Sequence, residues 1–304
     1  MATCISQITL KKNGTVMSFP CGKCNYCLQN RRADWTFRLN TESKQSKTAY
    51  FLTLTYDEEH QPKKEELDSD TGELFTCHTL DKKDLQDFIK LLRYYNDTAG
   101  QFINLGSTKT AMDQMFSELW PPIKYYAVGE YGGQTFRPHY HLIIFNIKPP
   151  VLDKLLQIWG KGHVYIGSVE PASVHYVTKY VLNKKHGWDP VEPPFALISQ
   201  GVGKAYLDTN GHEHKEAQRT FVLGDKFKQR LPRYYKDKIF NIRERESLNE
   251  RAIRENDILY KKTIDELKQF SEQPENYYDY RQRRAHDLIK DKIEQKSIIK
   301  PNTL

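Results

Sequence analysis

The chain has 304 residues, enough for one sizeable core with smaller elements attached to it. Hydrophobic residues make up 38% and charged residues 28%, so we expect part of the chain to pack poorly while the rest folds normally. The formal net charge of +7 favours a polyanionic partner without requiring one. The chain has neither a secretory signal nor an apolar run as long as a membrane span, so we expect an intracellular protein without a membrane partner.

A polar N-terminal appendage, residues 1–48, carries most of the cysteines. Cys21, Cys24 and Cys27 form a C-x-x-C-x-x-C cluster, which in a reducing compartment favours thiolate or metal chemistry over disulfides. Together with Cys4 they can form a four-thiolate structural zinc site. Against zinc, ribbon-type sites usually pair two C-x-x-C knuckles. An iron-sulfur centre is the weaker alternative.

The middle of the chain alternates between strand and helix patterns. In chain order these predict a strand, a helix, a two-stranded hairpin, a helix, a strand and a helix, at residues 50–56, 84–95, 123–130 with 138–145, 151–159, 163–169 and 173–183. This order predicts an α+β fold, an antiparallel sheet with helices on its faces. Residues 241–304 alternate acids with bases, which predicts a solvated helical C-terminal tail.

Two histidines stand two positions apart in the second strand of the predicted hairpin. Side chains alternate along a strand, so His139 and His141 lie on one face of the sheet. The hairpin can return Glu130 towards them. Two imidazoles and a carboxylate can hold a divalent cation such as Mg²⁺, Mn²⁺ or Zn²⁺. A His-x-His pair by itself is usually a chance surface pair, so this prediction depends on all three residues meeting.

Two tyrosines stand four positions apart in the last predicted helix of this region. Tyr176 and Tyr180 therefore share a helix face, about one turn apart, and Lys179 can contact a phosphate held near Tyr176. A phenolate attacks phosphorus when a metal ion polarises the phosphate. Considered alone, however, this spacing is better explained by core aromatic packing.

Basic and aromatic residues are interleaved at several positions. Many of the 19 tyrosines lie close to Lys or Arg, which suits base stacking beside phosphate contacts on single strands. Arg31, Arg32, Arg38 and Arg137 are candidate phosphate contacts. Ordinary solvated arginines and packed tyrosines are the plain alternative.

Three motifs occur in the order typical of HUH replication initiators: Val128-Gly-Glu-Tyr-Gly132, Pro138-His-Tyr-His141 and Tyr176-x-x-Lys-Tyr180. Phe51-Leu-Thr-Leu-Thr55 stands in the place of their first motif. The chain resembles this superfamily because the motifs occur jointly. More closely, Pro20-Cys-Gly-Lys-Cys24, the paired tyrosines and Leu231-Pro-Arg-Tyr-Tyr-Lys236 resemble the replication initiators of microviruses, especially the gokushovirus branch. The resemblance covers about residues 20–240.

The resemblance implies a ferredoxin-like or RRM-like HUH endonuclease core within residues 49–240. It also implies a Mg²⁺ or Mn²⁺ site, a nucleophile and a phosphate contact, formed respectively by Glu130, His139 and His141, by Tyr176 or Tyr180, and by Lys179. Such initiators of rolling-circle replication nick and rejoin single-stranded origin DNA through a covalent 5′-phosphotyrosine. No P-loop sequence occurs, so unwinding is expected from a host helicase and synthesis from a host polymerase.

Two further interpretations stay open at this stage. The first is a plasmid-type initiator, relaxase or transposase of the same superfamily, which would use the same chemistry. The second is a non-catalytic protein that binds single-stranded nucleic acid through its basic and aromatic residues alone. The second interpretation predicts binding without a metal and without strand scission. The microvirus interpretation predicts that the protein acts in the cytoplasm of a bacterial host.

Overall fold

The computed structural model describes residues 4, 7–12, 15–67, 71–102, 120–179, 190–223 and 228–268. The chain forms two compact units, residues 38–203 and residues 1–37 with 204–304. These limits differ from the predicted domain boundaries after residues 48 and 240, which stay predictions about independently folding segments.

The described elements alternate between short strands and helices. In chain order they are β1 (Ile8–Lys12), β2 (Thr15–Phe19), α1 (Asn25–Gln45), β3 (Ala49–Tyr56), β4 (Lys63–Leu67), β5 (Leu74–His78), α2 (Lys82–Phe102), β6 (Lys124–Tyr131), β7 (Pro138–Phe145), α3 (Pro149–Leu152), α4 (Leu155–Trp159), β8 (Gly162–Ser168), α5 (Pro171–Lys179), β9 (Phe195–Ile198), α6 (Tyr206–Glu216), β10 (Phe221–Leu223), β11 (Lys228–Arg230), α7 (Arg233–Ile239) and α8 (Ile242–Lys268). None of these helices is both long enough and apolar enough to cross a bilayer.

An antiparallel sheet in the order β8-β3-β7-β6-β9 forms the centre of the larger unit. Because side chains alternate along each strand, the sheet has two chemically different faces. One face is apolar and packs against α2, α3 and α4, with a core that includes Leu52, Leu54, Leu85, Phe88, Leu142, Ile144, Val151 and Trp159. The predicted α+β fold with an antiparallel sheet is therefore confirmed.

The turn from α4 into β8 depends on a glycine. Gly162 has a φ of +147°, and a Cβ at this position would lie 2.3 Å from the carbonyl oxygen of Thr55. Only a residue without a side chain lets β8 pair this closely with β3. The indole N–H of Trp159 donates to the same Thr55 carbonyl at 2.9 Å, which ties α4 to the sheet.

Several predicted elements need correction. The helix predicted over residues 151–159 is two short helices, because the N–H of Lys154 bonds to Val151 O and tightens the chain into a turn between them. The charged loop predicted after β3 contains the hairpin of β4 and β5. The helix predicted over residues 173–183 begins earlier, at Pro171, and is described as far as Lys179.

The smaller unit has an aromatic cluster of its own. The ring of Phe37 lies 5.2 Å from that of Tyr206 and 5.7 Å from that of Tyr235, centroid to centroid. Asp34 accepts two hydrogen bonds from the guanidinium of Arg230, at 3.1 and 2.7 Å. Tyr235, part of the Leu231-to-Lys236 motif, is fully buried and so belongs to the core rather than to a nucleic-acid surface. The predicted helical tail is α8 as far as Lys268, and residues 269–304 lie outside the described part of the chain.

Candidate metal and nucleophile site

The polar face of the large sheet brings Glu130, His139 and His141 together. In the register of β6 and β7, Glu130 lies opposite His139 and Val128 opposite His141. Both imidazole Nε2 atoms approach one carboxylate oxygen, Glu130 Oε1, at 3.0 Å from His139 and 2.9 Å from His141. Glu130 is only 4% exposed and His141 only 8%. The three predicted ligands therefore meet, as the hairpin pattern indicated.

The ring nitrogens of the two histidines favour a cation among these residues. His139 Nδ1 lies 3.1 Å from the carbonyl oxygen of Arg137, which can only accept, so Nδ1 carries the proton. In a neutral ring, the lone pair of Nε2 then faces a carboxylate lone pair, and a second proton or a bound cation relieves this repulsion. His141 Nε2 is close to Glu130 but not aligned for a hydrogen bond, and this buried nitrogen has no other partner among the described residues. The donor set fits a divalent metal ion.

The charge states of these residues also suit a metal site. Burial raises the pKa of Glu130, but polar contacts with His139, His141 and Tyr176 outweigh burial and lower that pKa to about 2. Burial lowers the pKa of His141, an effect that the nearby carboxylate only partly opposes. At neutral pH, Glu130 is therefore charged and His141 neutral, which are the forms that bind metal ions.

Helix α5 brings a tyrosine to the same carboxylate oxygen. Val174 and Val177 are buried, and this helix contacts β6 and β7. The hydroxyl of Tyr176 donates to Glu130 Oε1 at 2.6 Å, and its ring stands edge-on to His141 at 4.9 Å between centroids. Burial and the negative charge of Glu130 raise the pKa of Tyr176 above its ordinary value. The phenol is therefore protonated in this arrangement.

Two further residues were predicted beside this tyrosine. Lys179 Nζ lies 3.8 Å from the centre of the Tyr176 ring, so its positive charge is close to the hydroxyl that approaches Glu130. Tyr180 lies outside the described residues, and its predicted role stays a prediction.

Two residues of β3 support the site, and the sequence had assigned neither of them a role. The hydroxyl of Thr53 lies 2.9 Å from His141 Nδ1 and so orients this ring. Phe51 stacks against the same imidazole with a centroid separation of 5.5 Å and an interplanar angle of 15°. Their alternation along the strand puts them on one face, but their role appears only once β3 is paired with β7.

Two of the arginines proposed as phosphate contacts are engaged within the larger unit. Arg38 is buried and donates from Nε and Nη2 to the carbonyl oxygen of Val202, at 3.0 and 2.8 Å. A buried guanidinium held in this way is a structural residue, so the prediction for Arg38 is wrong. Arg137 pairs with Glu58 at 2.5 Å and donates to Tyr56 O at 3.2 Å.

The four N-terminal cysteines form a second cluster, in the smaller unit. The sulfur atoms of Cys4, Cys21, Cys24 and Cys27 all lie within 4.8 Å of one another. At Cys21, backbone N–H groups outweigh the effect of burial and lower the thiol pKa to about 6, whereas burial raises the pKa of Cys27. Cys77 lies in β5 and is not part of this cluster.

Residues 49–186 match the model of a phage protein family described as replication-associated protein ORF2. This segment belongs to that family. The replication-associated segment contains the whole candidate site, from Phe51 and Thr53 to Lys179, and it excludes the cysteine cluster.

Relatives of the replication-associated segment extend the likeness beyond it. The chain is 29% identical to replication-associated protein VP4 of Bdellovibrio phage phiMH2K over 250 residues, 75% of this chain and 69% of that protein. It is 26% identical to replication-associated protein ORF2 of Spiroplasma virus 4 over 259 residues, 76% and 71% of the two chains. For replication-associated protein ORF4 of Chlamydia phage 1, identity is 27% over 244 residues, 72% and 52%. The predicted resemblance to microvirus replication proteins is confirmed. No solved structure gives a significant match.

Proposed function

We propose that this protein initiates rolling-circle replication by nicking and rejoining single-stranded origin DNA through a covalent 5′-phosphotyrosine. One observation carries the proposal: the Tyr176 hydroxyl approaches the same Glu130 oxygen on which His139 and His141 converge. A nucleophile and a set of metal ligands therefore occupy one site. The family match of residues 49–186 supports a role in phage DNA replication.

Glu130, His139 and His141 would hold a Mg²⁺ or Mn²⁺ ion. Such an ion, when bound, polarises the scissile phosphate and stabilises the charge that develops on it. Thr53 and the Arg137 carbonyl hold the outer nitrogens of the two rings, which keeps both Nε2 atoms directed at the site.

Tyr176 supplies the nucleophilic oxygen. Its proton is shared with Glu130 in the resting site, so this hydrogen bond must be given up before attack. The phenolic oxygen then bonds to phosphorus, the bond from phosphorus to the 3′ oxygen breaks, and this oxygen leaves as a 3′-hydroxyl after taking up a proton. In the reverse step, attack of a 3′-hydroxyl on the phosphotyrosine rejoins the strand without ATP.

Lys179 and Tyr180 complete the proposed machinery. The ammonium of Lys179, held above the Tyr176 ring, is positioned to contact a phosphate at that hydroxyl. Tyr180, four residues after Tyr176, is proposed as the second nucleophile that cuts the regenerated origin. Lys179 thus contacts the substrate, while the tyrosines alternate between cleavage and joining.

The biological setting follows from the same proposal. The substrate is single-stranded DNA at a phage origin, in the cytoplasm of a bacterial host, and a host helicase and polymerase act on the nicked product. A plasmid-type initiator, relaxase or transposase would use the same residues on another origin. A non-catalytic single-strand-binding protein would have no use for a nucleophile at a metal site.

Covalent adduct formation tests the proposal directly. Purified protein is incubated with Mn²⁺ and labelled single-stranded oligonucleotides that tile the phage genome, and adducts that resist denaturation are separated by electrophoresis. We expect a sequence-specific adduct that a chelator abolishes. The double variant Tyr176→Phe with Tyr180→Phe should form none, and Tyr176→Phe by itself shows which tyrosine reacts first.

A matched control keeps the result specific. Tyr94 is an exposed tyrosine of α2 that lies outside the site, so Tyr94→Phe should form the adduct at the wild-type rate. Tight binding of DNA with no adduct on any oligonucleotide would favour the non-catalytic interpretation. Adduct formation that persists in the double tyrosine variant would exclude both tyrosines as the nucleophile.

A further inference from the structure

The sulfur atoms of the cysteine cluster have the spacing of ligands around one ion. Cys21 Sγ lies 3.9 Å from Cys27 Sγ, and Cys24 Sγ lies 3.8 Å from Cys4 Sγ. Four thiolates at about 2.3 Å from a tetrahedral zinc ion are separated from each other by about 3.8 Å. A disulfide would need its two sulfur atoms about 2.05 Å apart, so these distances match joint coordination and not cross-linking.

The backbone around these cysteines is shaped to stabilise negative charge on sulfur. The N–H groups of Lys23 and Cys24 donate to Cys21 Sγ at 3.4 and 3.2 Å, and the N–H of Cys21 donates to Cys4 Sγ at 3.3 Å. The turn that makes this possible passes through Gly22, whose φ is +73°. Such N–H donors offset the excess charge of a metal ion bound by four thiolates.

The hairpin beside the cluster needs a stabilising element of this kind. β1 and β2 pair only with each other, and Ile8, Leu10 and Phe19 are all exposed, at 50%, 54% and 42%. A two-stranded hairpin without a buried face is marginally stable in water. Cys4 precedes this hairpin and Cys21 follows it, while Cys27 lies in the first turn of α1. One ion bound to all of them would fasten both ends of the hairpin to the helix.

We propose that Cys4, Cys21, Cys24 and Cys27 bind a structural Zn²⁺ ion that fixes the N-terminal hairpin to the start of α1. Binding replaces the thiol protons, which pass to solvent, and involves no oxidation or reduction. With four protein ligands the coordination shell is closed, so this zinc has no position for a substrate. The site is independent of the proposed nicking activity.

Metal analysis of the untagged full-length protein tests this site. Elemental analysis by mass spectrometry should find about one zinc per chain, and the Co²⁺-substituted protein should show the charge-transfer absorption and intense visible bands of tetrahedral thiolate coordination. Cys24→Ser and Cys27→Ser should each lose most of the zinc. Limited proteolysis of these variants should cut within residues 1–24 at least tenfold faster than in the wild type.

Two controls separate this site from the rest of the chain. Cys77→Ser removes the cysteine outside the cluster and should keep the full zinc content. His139→Ala with His141→Ala should also keep it, because that pair belongs to the other candidate site. Zinc lost with the histidines but kept in Cys24→Ser would overturn the proposal. So would iron in place of zinc, or proteolysis of Cys24→Ser at the wild-type rate.

Discussion

The two candidate metal sites of this protein are built in opposite ways. Glu130, His139 and His141 stand on two paired strands, so the sheet positions them whether or not an ion is present. The four cysteines lie on loop segments and the first turn of α1, beside a hairpin with exposed apolar residues. The first site also has a tyrosine hydroxyl among its ligands, whereas the second has only thiols. A rigid site with an added nucleophile suits catalysis, and a closed thiol site suits folding.

The largest effect should come from removing the charge of the first site. Glu130→Gln keeps the shape of the side chain but removes the carboxylate that would hold the cation. We expect adduct formation with Mn²⁺ to slow about a thousandfold, equivalent to about 4 kcal/mol of transition-state stabilisation. Stability in chelator should be unchanged or higher, because a buried charge is lost. Single-turnover rates and thermal unfolding measure the two effects, and a fall in stability without a loss of rate would break the comparison.

The opposite pattern is expected at the cysteine cluster. Cys27→Ser should destabilise the N-terminal segment by about 3 kcal/mol, because the free energy of zinc binding is also free energy of folding. Hydrogen exchange of residues in β1, β2 and the start of α1 measures this loss. Cys77→Ser is the matched control and should leave exchange in these segments unchanged. Equal exchange in both variants would contradict a structural role for the cluster.

A smaller effect is expected from the residue that orients His141. Thr53→Val has nearly the same shape but cannot hydrogen-bond to His141 Nδ1. We expect the Mn²⁺ dissociation constant to rise about 10-fold to 100-fold, as for other residues that hold a metal-binding histidine. Calorimetric titration measures it, with Thr98→Val of α2 as the control for loss of a hydroxyl. Unchanged Mn²⁺ affinity would show that stacking on Phe51 is enough to hold the ring.

The smallest effect concerns the half-buried ion pair of the smaller unit. Arg230→Lys cannot make both hydrogen bonds to Asp34, so we expect a loss of about 1 kcal/mol in the free energy of unfolding. Urea denaturation measures this loss. Arg233→Lys alters an exposed pair with Asp237 and should change stability by less than about 0.5 kcal/mol. If the two variants are equally stable, the pair does not stabilise this unit.

Local periodicity explains which elements could be predicted from the sequence. The hairpin of β6 and β7 was found because its strands alternate strongly and its turn contains paired glycines. The hairpin of β4 and β5 was missed, because a strand that reads Lys-Lys-Glu-Glu-Leu has the composition of a solvated loop. Its backbone pairing is independent of side-chain polarity, so hydrophobic patterning had nothing to detect.

The sequence alone determined that His139 and His141 share a face, since the two-residue period of a strand requires it, and that Glu130 returns towards them across a short turn. Only the tertiary structure decided that α5 directs Tyr176 at Glu130, that Thr53 reaches His141, and that Arg38 is buried. It also brought Cys4 to cysteines at least 17 residues away in the chain. The physical reason is range: a repeat pattern acts over a few residues, whereas these contacts require distant segments to pack together.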